Sequence, residues 1–215
     1  TIYSFYVNLI NYKKKEFIFV LDEPDNTLHP NWQKNFINKM IEIVRITDCS
    51  TQEYQFTEEL LTASFPEEEY RELAMLRKYV EKEKYFYYHI ILHDEEPIGL
   101  VSFWQLSNYY YVEHLAVHTN KRGKNYGGLI LSLLKERLQQ IILEVELPND
   151  ETSMKRIKFY QRNGFHLLDY DYQQPPYRKG GRWIPMRLMT NCVSSSEQIP
   201  QIVKEIHQKA YHCIK

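Results

Sequence analysis

The stretch with the clearest chemistry is His114-Leu115-Ala116-Val117-His118-Thr119-Asn120-Lys121-Arg122-Gly123-Lys124-Asn125-Tyr126-Gly127-Gly128. Its first residues are apolar and strand-like, and they run into a basic, glycine-containing turn that opens a long helix. The first amides of a helix have no intrahelical partner, and the aligned peptide dipoles add partial positive charge there. Phosphates bind such helix starts readily. Gly123, Gly127 and Gly128 let a bulky anion approach the backbone, and Arg122 and Lys124 add charge. The turn is not a Walker A loop, because the GK[ST] ending is missing, and it lacks the GxGxxG spacing of a dinucleotide fingerprint. On spacing alone it fits any phosphate-bearing ligand, or a plain basic turn closing a strand–helix unit.

Two further segments follow. Leu143-Glu144-Val145 lies in an apolar strand, and Phe159-Tyr160-Gln161-Arg162-Asn163-Gly164-Phe165 joins a helix to a strand. Together the three resemble the GNAT superfamily of N-acetyltransferases, whose pyrophosphate loop is written Q/R-x-x-G-x-G/A and whose helix-to-strand signature is FYxxxGF. Arg122 to Gly127 fits that loop with one departure. Asn125 stands where the first glycine belongs, and Asn is the non-glycine residue that best tolerates left-handed backbone. The resemblance covers roughly residues 51–190. The strand at Glu113 to Val117 and the Gln174-Pro175-Pro176-Tyr177 loop look like one subgroup of bacterial members.

The resemblance implies an acetyl-CoA-dependent N-acetyltransferase that moves an acetyl group directly to the primary amine of a small molecule or peptide. Leu115, Ala116 and Val117 would offer backbone groups to the pantetheine arm and thioester, and a strand N–H there could steady the oxyanion. Gly123, Lys124, Asn125, Tyr126, Gly127 and Gly128, beside Arg122, would cradle the pyrophosphate. Dimers are frequent in the superfamily, so a homodimer is among the assemblies it allows.

Acetyl transfer needs two proton movements: the amine must lose one, and the departing thiolate must gain one. The resemblance assigns the acid role to Tyr160, a phenol protonated at neutral pH with a reference pKa of about 10; its plain alternative is an aromatic packed in the core. For the base, Glu144 matches a position that some members use. Glu113, two residues before Leu115, is the rival, since a glutamate inside a strand is disfavoured unless exposed or functional. His114 and His118 stand too far apart in extended chain for one metal ion, and read as packed or solvated histidines. No metal site is expected. Trp104, Tyr109, Tyr110, Tyr111 and Tyr177 could line an aromatic acceptor pocket, although strand aromatics are more often core.

The elements that must position these groups read as follows. Pro66 and the acids Glu67, Glu68 and Glu69 signal a helix start, with Tyr70, Leu73, Leu76 and Val80 as its buried stripe. Strands follow over 85–93 and 98–106, joined by a tight Asp94-Glu95-Glu96-Pro97 turn as a hairpin, and a third over 109–118. A helix over 126–140, a strand over 141–147, a helix over 153–162 and strands near 165–172 and 183–189 complete the unit. The fold class is α/β (α+β): a mixed, mostly antiparallel sheet flanked by helices. A C-terminal helix spans 191–215, with a kink expected at Pro200.

Residues 1–48 read as a helix–strand–helix appendage, with a buried strand over 17–21 and a helix opened by Pro30 that carries Phe36, Ile37, Met40, Ile41 and Val44. Phe19-Val20-Leu21-Asp22-Glu23-Pro24 followed by Leu28-His29-Pro30 resembles the Walker B strand of ABC-type ATPases of the DNA-repair and phage-defence kind. There, the residues matching Asp22 and Glu23 would serve magnesium and the attacking water. All seven glycines lie at or after Gly99, so this segment has no glycine-rich phosphate loop, and ATPase activity of this chain alone is rejected. A non-catalytic acetyl-CoA-binding protein, or an ATPase-associated interaction protein, is the alternative to the enzyme.

The composition is ordinary for a globular protein: 215 residues, 43% hydrophobic and 26% charged, enough for a core. The net charge of −1 gives no electrostatic footprint for nucleic acid or an anionic membrane. No apolar run reaches a membrane span, and the first residues lack the regions of a signal peptide. Cys49, Cys192 and Cys213 are scattered without CxxC, which argues against a disulfide framework or zinc site. The cytoplasm is the expected compartment.

Overall fold

The computed structural model describes residues 6–12, 15–21, 41–192 and 197–212, the first two segments in backbone only. The chain divides into two units, residues 1–37 and 38–215.

In the first unit, β1 (Tyr6–Tyr12) pairs antiparallel with β2 (Lys15–Leu21), from Tyr6 opposite Leu21 to Tyr12 opposite Lys15. The expected strand over 17–21 lies within β2, but a strand replaces the helix expected before it. Tyr6, Val7, Ile10 and Tyr12 are β-branched and aromatic types that suit a pleated chain. Asp22, Glu23 and the helix expected from Pro30 to Met40 lie outside the described residues. The end of that helix is corrected: Ile41–Arg45 is a strand, β3, and belongs to the second unit.

The second unit is an eight-stranded sheet in the order β3-β4-β5-β6-β7-β10-β8, with β9 also paired to β10. The strands are β4 (Phe86–His93), β5 (Glu96–Gln105), β6 (Tyr110–Val117), β7 (Ile141–Glu146), β8 (His166–Leu167), β9 (Tyr172–Gln174) and β10 (Ile184–Thr190). Every pairing is antiparallel except β6 with β7. β4 and β5 form the expected hairpin, and Asp94 and Glu95 both take positive φ, 52° and 63°. Such a two-residue turn matches the right-handed twist of the flanking strands.

Helix α1 (Gln52–Ser64) starts at Thr51, whose side chain accepts the Tyr54 N–H. It begins just after the boundary expected near residue 48, where no helix was expected. Ser64 to Glu69 therefore ends a helix instead of beginning one. Pro66 adopts an extended conformation, Glu67–Glu69 forms a single 3₁₀ turn, and α2 (Leu73–Lys82) begins only after it. β3 pairs along β4 from Ile41–His93 to Arg45–His89, so the sheet begins before the expected boundary near residue 48.

Helix α3 (Tyr126–Leu138) leads from β6 towards β7, and α4 (Glu151–Arg162) follows β7, started by a reciprocal cap between Asp150 and Ser153. α5 (Ile199–Lys209) has Pro200 in its first turn, where a missing N–H costs nothing, so no kink follows. Its Ile199, Ile202, Val203 and Ile206 are buried in one cluster with Leu61 of α1, Leu76 of α2, and Leu100, Trp104 and Leu188 of the sheet. The C-terminal helix is part of the core, not an addition to it. No helix among the described residues is long and apolar enough to cross a membrane.

Candidate active site

The site forms where the sheet comes apart. β6 and β7 pair only through Tyr110–Ile141, Tyr111–Ile142 and Val112–Leu143. Beyond those three pairs β6 continues to Val117 and β7 to Glu146, without pairing to each other. On the other side, β6 meets β5 with a bulge: Ser102 faces His114 and Phe103 faces Val112, which leaves Glu113 as the extra residue. A bulge re-aims a side chain and increases local twist. The gap opens into a cleft of about 290 Å³ lined by both strands and by α3, α4 and the β9–β10 region, including Leu115, Val117, Arg122, Gly127, Glu144 and Tyr160.

The two strands leave backbone donors in the gap. The His118 N–H bonds to the Ile98 carbonyl on the β5 side. Alternation along an antiparallel strand then turns Ala116 towards β5, and the Leu115 and Val117 N–H groups towards β7. Arg122 Nε donates to the Val117 carbonyl at 3.1 Å, tying the turn to the strand end.

The turn itself has the backbone expected of it. Gly123 has φ +80°, and Asn125, the departure from the glycine pattern, has φ +60° and ψ 14°, the left-handed region that Asn tolerates. Asn125 is also the N-terminal cap of α3, yet its side chain accepts none of the helix's amides. The first bond of the helix runs from the Leu129 N–H to the Asn125 carbonyl, so the amides before it are left for a ligand.

Glu113 and Glu144, the two candidate bases, differ sharply. Glu113 (side chain 1% exposed) forms a two-pronged pair with Arg71, Nη2 to Oε1 at 2.5 Å and Nη1 to Oε2 at 3.3 Å. Trp104 Nε1 donates to it at 3.2 Å and the Tyr177 hydroxyl at 2.9 Å. The Arg71 guanidinium is itself caged by the rings of Tyr79, Phe86, Trp104 and Tyr177. Every strong acceptor direction of Glu113 is taken, which suits a fixed anion rather than a proton shuttle.

Glu144 has no cation within bonding distance among the described residues. The Tyr172 hydroxyl donates to Oε1, and the Tyr211 hydroxyl lies 2.9 Å from Oε2 and 3.2 Å from Oε1. Burial raises its pKa, the surrounding phenols of Tyr172, Tyr211 and Tyr111 oppose that, and the result is a carboxyl pushed up to about 7. A carboxyl poised near neutrality can both take and release a proton.

Tyr160, on α4, lines the cleft. Its ring packs against Phe159 and Phe165, and its hydroxyl makes no hydrogen bond among the described residues. Burial pushes its pKa up to about 12, so it carries its proton. His114 is buried between Ser102 Oγ (3.1 Å from Nδ1) and the Glu69 carbonyl (2.9 Å from Nε2). A carbonyl can only accept, so Nε2 carries the proton and Nδ1 accepts from Ser102. Burial also lowers the ring's pKa, which leaves a neutral, packed histidine. His118 accepts the Asn120 N–H in the turn. Among the described residues no group of His, Cys, Asp or Glu is arranged to hold a metal.

Of the expected aromatic wall, Trp104, Tyr109 and Tyr111 are core residues, and only Tyr177 lines the cleft. Arg71, Tyr172 and Tyr211 were not foreseen, because each acts on a carboxylate 28 or more residues away in sequence. No local pattern announces such a partner.

The acetyltransferase (GNAT) family profile matches residues 50–165. The chain belongs to this family. A GNAT-family protein of Bacteroides thetaiotaomicron of known structure is 42% identical, with 80% of this chain and 99% of that one covered at a TM-score of 0.78. YjbC of Bacillus subtilis (strain 168), a candidate acetyltransferase, is 34% identical over 119 residues, 54% of this chain. The match spans 60% of the length of YjbC. The spermidine N-acetyltransferase SpeG chimera from Vibrio cholerae and hSSAT shares the GNAT fold at 17% identity and a TM-score of 0.53, over 70% of this chain and 94% of its own. The ATPase-like reading of residues 17–44 finds no support in these comparisons.

Proposed function

We propose that this chain is an acetyl-CoA-dependent N-acetyltransferase that acts on a primary amine of a small molecule or peptide. The observation that carries the reading is Glu144, a buried carboxyl poised near neutrality at the edge of the gap between β6 and β7. Across the same cleft stands Tyr160, a protonated phenol with no competing partner among the described residues.

In this reading the acceptor's ammonium gives a proton to Glu144, directly or through one water. The free amine attacks the thioester carbonyl, and a C–N bond forms. The N–H of Leu115 or Val117 supports the oxyanion. The C–S bond then breaks as Tyr160 gives its proton to the thiolate; the second proton on the amine nitrogen passes to the Tyr160 phenolate, and Glu144 releases the first to solvent. Arg122, Gly123, Lys124, Asn125, Tyr126, Gly127 and Gly128 hold the pyrophosphate at the start of α3, and Leu115, Ala116 and Val117 hold the pantetheine arm. Glu113 serves as the anchored partner of Arg71 rather than as base. The reading extends to a bacterial cytoplasm and to action without nucleic acid, membrane or metal.

The test is calorimetric titration of acetyl-CoA into the full chain, with ATP–magnesium in parallel, then thiol release with a panel of alkylamines, diamines, amino acids and short peptides. Micromolar acetyl-CoA binding without ATP binding supports the reading. A chain that binds no acetyl-CoA sinks it.

A further inference from the structure

The last described residues after α5 reach the catalytic carboxylate. The Tyr211 hydroxyl lies 2.9 Å from Glu144 Oε2, 2.9 Å from the Tyr111 hydroxyl and 3.4 Å from the Tyr177 hydroxyl. Its neighbour Ala210 offers its carbonyl to Arg71 Nη2 at 3.1 Å, the same guanidinium that holds Glu113. The end of α5 is thus fastened to one carboxylate through Arg71 and to the other by its own phenol.

Each phenol has one proton to give, and one arrangement serves both carboxylates, with the long Tyr177–Tyr211 contact left without a donor. Tyr177 donates to Glu113, Tyr111 donates to Tyr211, and Tyr211 and Tyr172 donate to Glu144. In that arrangement Tyr211 supports the ionised form of Glu144, and the Tyr111 bond strengthens the donor it feeds. The groups that face Glu144 are Tyr111 and Glu113 from β6, Tyr172 from β9, Tyr177 from the β9–β10 loop and Tyr211 from the C-terminal segment. Only the last follows α5.

We propose that Tyr211 is a positioning residue for Glu144, and that the C-terminal segment is a working part of the catalytic site. The inference rests on the reading of Glu144 as base. Docking of α5 then aims the carboxylate and lowers its proton affinity in a single event. The residues matched by the family profile end at 165, so this contribution lies outside them.

The test labels glutamate side chains with ¹³C in the full chain and assigns the Glu144 carboxyl by its loss in Glu144→Gln. Its titration is then followed by NMR. Tyr211→Phe should raise the midpoint by about one pH unit, the scale of a lost bond to a charged group. The acid limb of acetyl transfer, measured with an amine from the panel, should move with it. Ile206→Val thins the packing of α5 without touching a phenol and should leave the midpoint in place. An unmoved midpoint in folded Tyr211→Phe overturns the proposal. If that variant does not fold, Tyr111→Phe removes the donor behind Tyr211 and should raise the midpoint by a smaller step; no shift there overturns it equally. Full turnover by Glu144→Gln would remove the base reading and the positioning role with it, even if the midpoint moves. Lost turnover in Glu144→Gln beside an unmoved midpoint in Tyr211→Phe would keep the base and discard the inference.

Discussion

At the residue scale, the cleft holds two carboxylates in opposite surroundings. Glu113 has a guanidinium, an indole and a phenol against it; among the described residues Glu144 is hydrogen-bonded by phenols. Removing Glu144 as Glu144→Gln should lower kcat by about a hundredfold or more while acetyl-CoA affinity holds, as expected for loss of a general base. Tyr160→Phe should lower kcat without moving the acid limb of the pH profile. Arg71→Met should act on stability instead. It strands Glu113 among Trp104, Tyr177 and buried rings, a loss of about 3–5 kcal/mol by the usual cost of orphaning a buried charge, read as a fall in the thermal midpoint. Asn125 is a milder case. Asn125→Gly keeps the left-handed turn, whereas Asn125→Val puts a β-branched residue at φ +60° and should weaken acetyl-CoA binding by about tenfold, the equivalent of 1–2 kcal/mol of strain.

At the element scale, the hairpin of β4 and β5 and the helices α3 and α4 were legible in the sequence because local signals agree there. Turn residues and an apolar period point the same way. The strand, turn and helix proposed to hold the cofactor were legible as elements for the same reason, since they are continuous in sequence. The region before Phe86 was not. Pro66 with its acids carries the signature of a helix start, but α1 had already begun at Thr51, and Pro66 follows its end. The segment Ile41–Arg45 alternates Ile, Glu, Ile, Val and Arg, and a helical face drawn through Met40, Ile41 and Val44 conceals a strand that only its partner β4 specifies. The phenols on Glu144 were equally hidden, because Tyr172 and Tyr211 meet it only after β9 and α5 have docked. Gly99 offers a test of how tightly the elements fit. A Cβ there would stand 2.5 Å from the Ala116 carbonyl oxygen, on the strand proposed to hold the pantetheine arm. Gly99→Ala must therefore push β5 and β6 apart. It should cost about 1–3 kcal/mol of stability, as overpacking does, and weaken acetyl-CoA binding measured by calorimetry.

At the scale of the whole molecule, Glu144 couples the fold to pH. Its folded pKa of about 7 exceeds the reference 4.5, so the folded chain holds this proton more tightly than the unfolded one. The stability this contributes is fully present below pH 4.5 and is lost as pH rises through about 7. The full loss is roughly 3 kcal/mol. Glu144→Gln has no such proton to lose. Its thermal midpoint should gain on that of the parent protein as pH rises across this window, in paired melts at matched salt. Equal slopes in the two proteins would contradict the assignment.

The parting of β6 from β7 also makes the ligand a structural member. With only three residue pairs along the seam, the amides of Leu115 and Val117 should exchange hydrogen for deuterium faster than those of Tyr111 and Val112. An arm of alternating amides laid in the gap would act as the missing strand and slow that exchange. The sheet would then be continuous only when loaded, with about 2.7 kcal/mol of added stability at a hundredfold excess of ligand over its Kd. Nucleotide supply would set not only how fast such a protein works but how long an unloaded copy resists a protease.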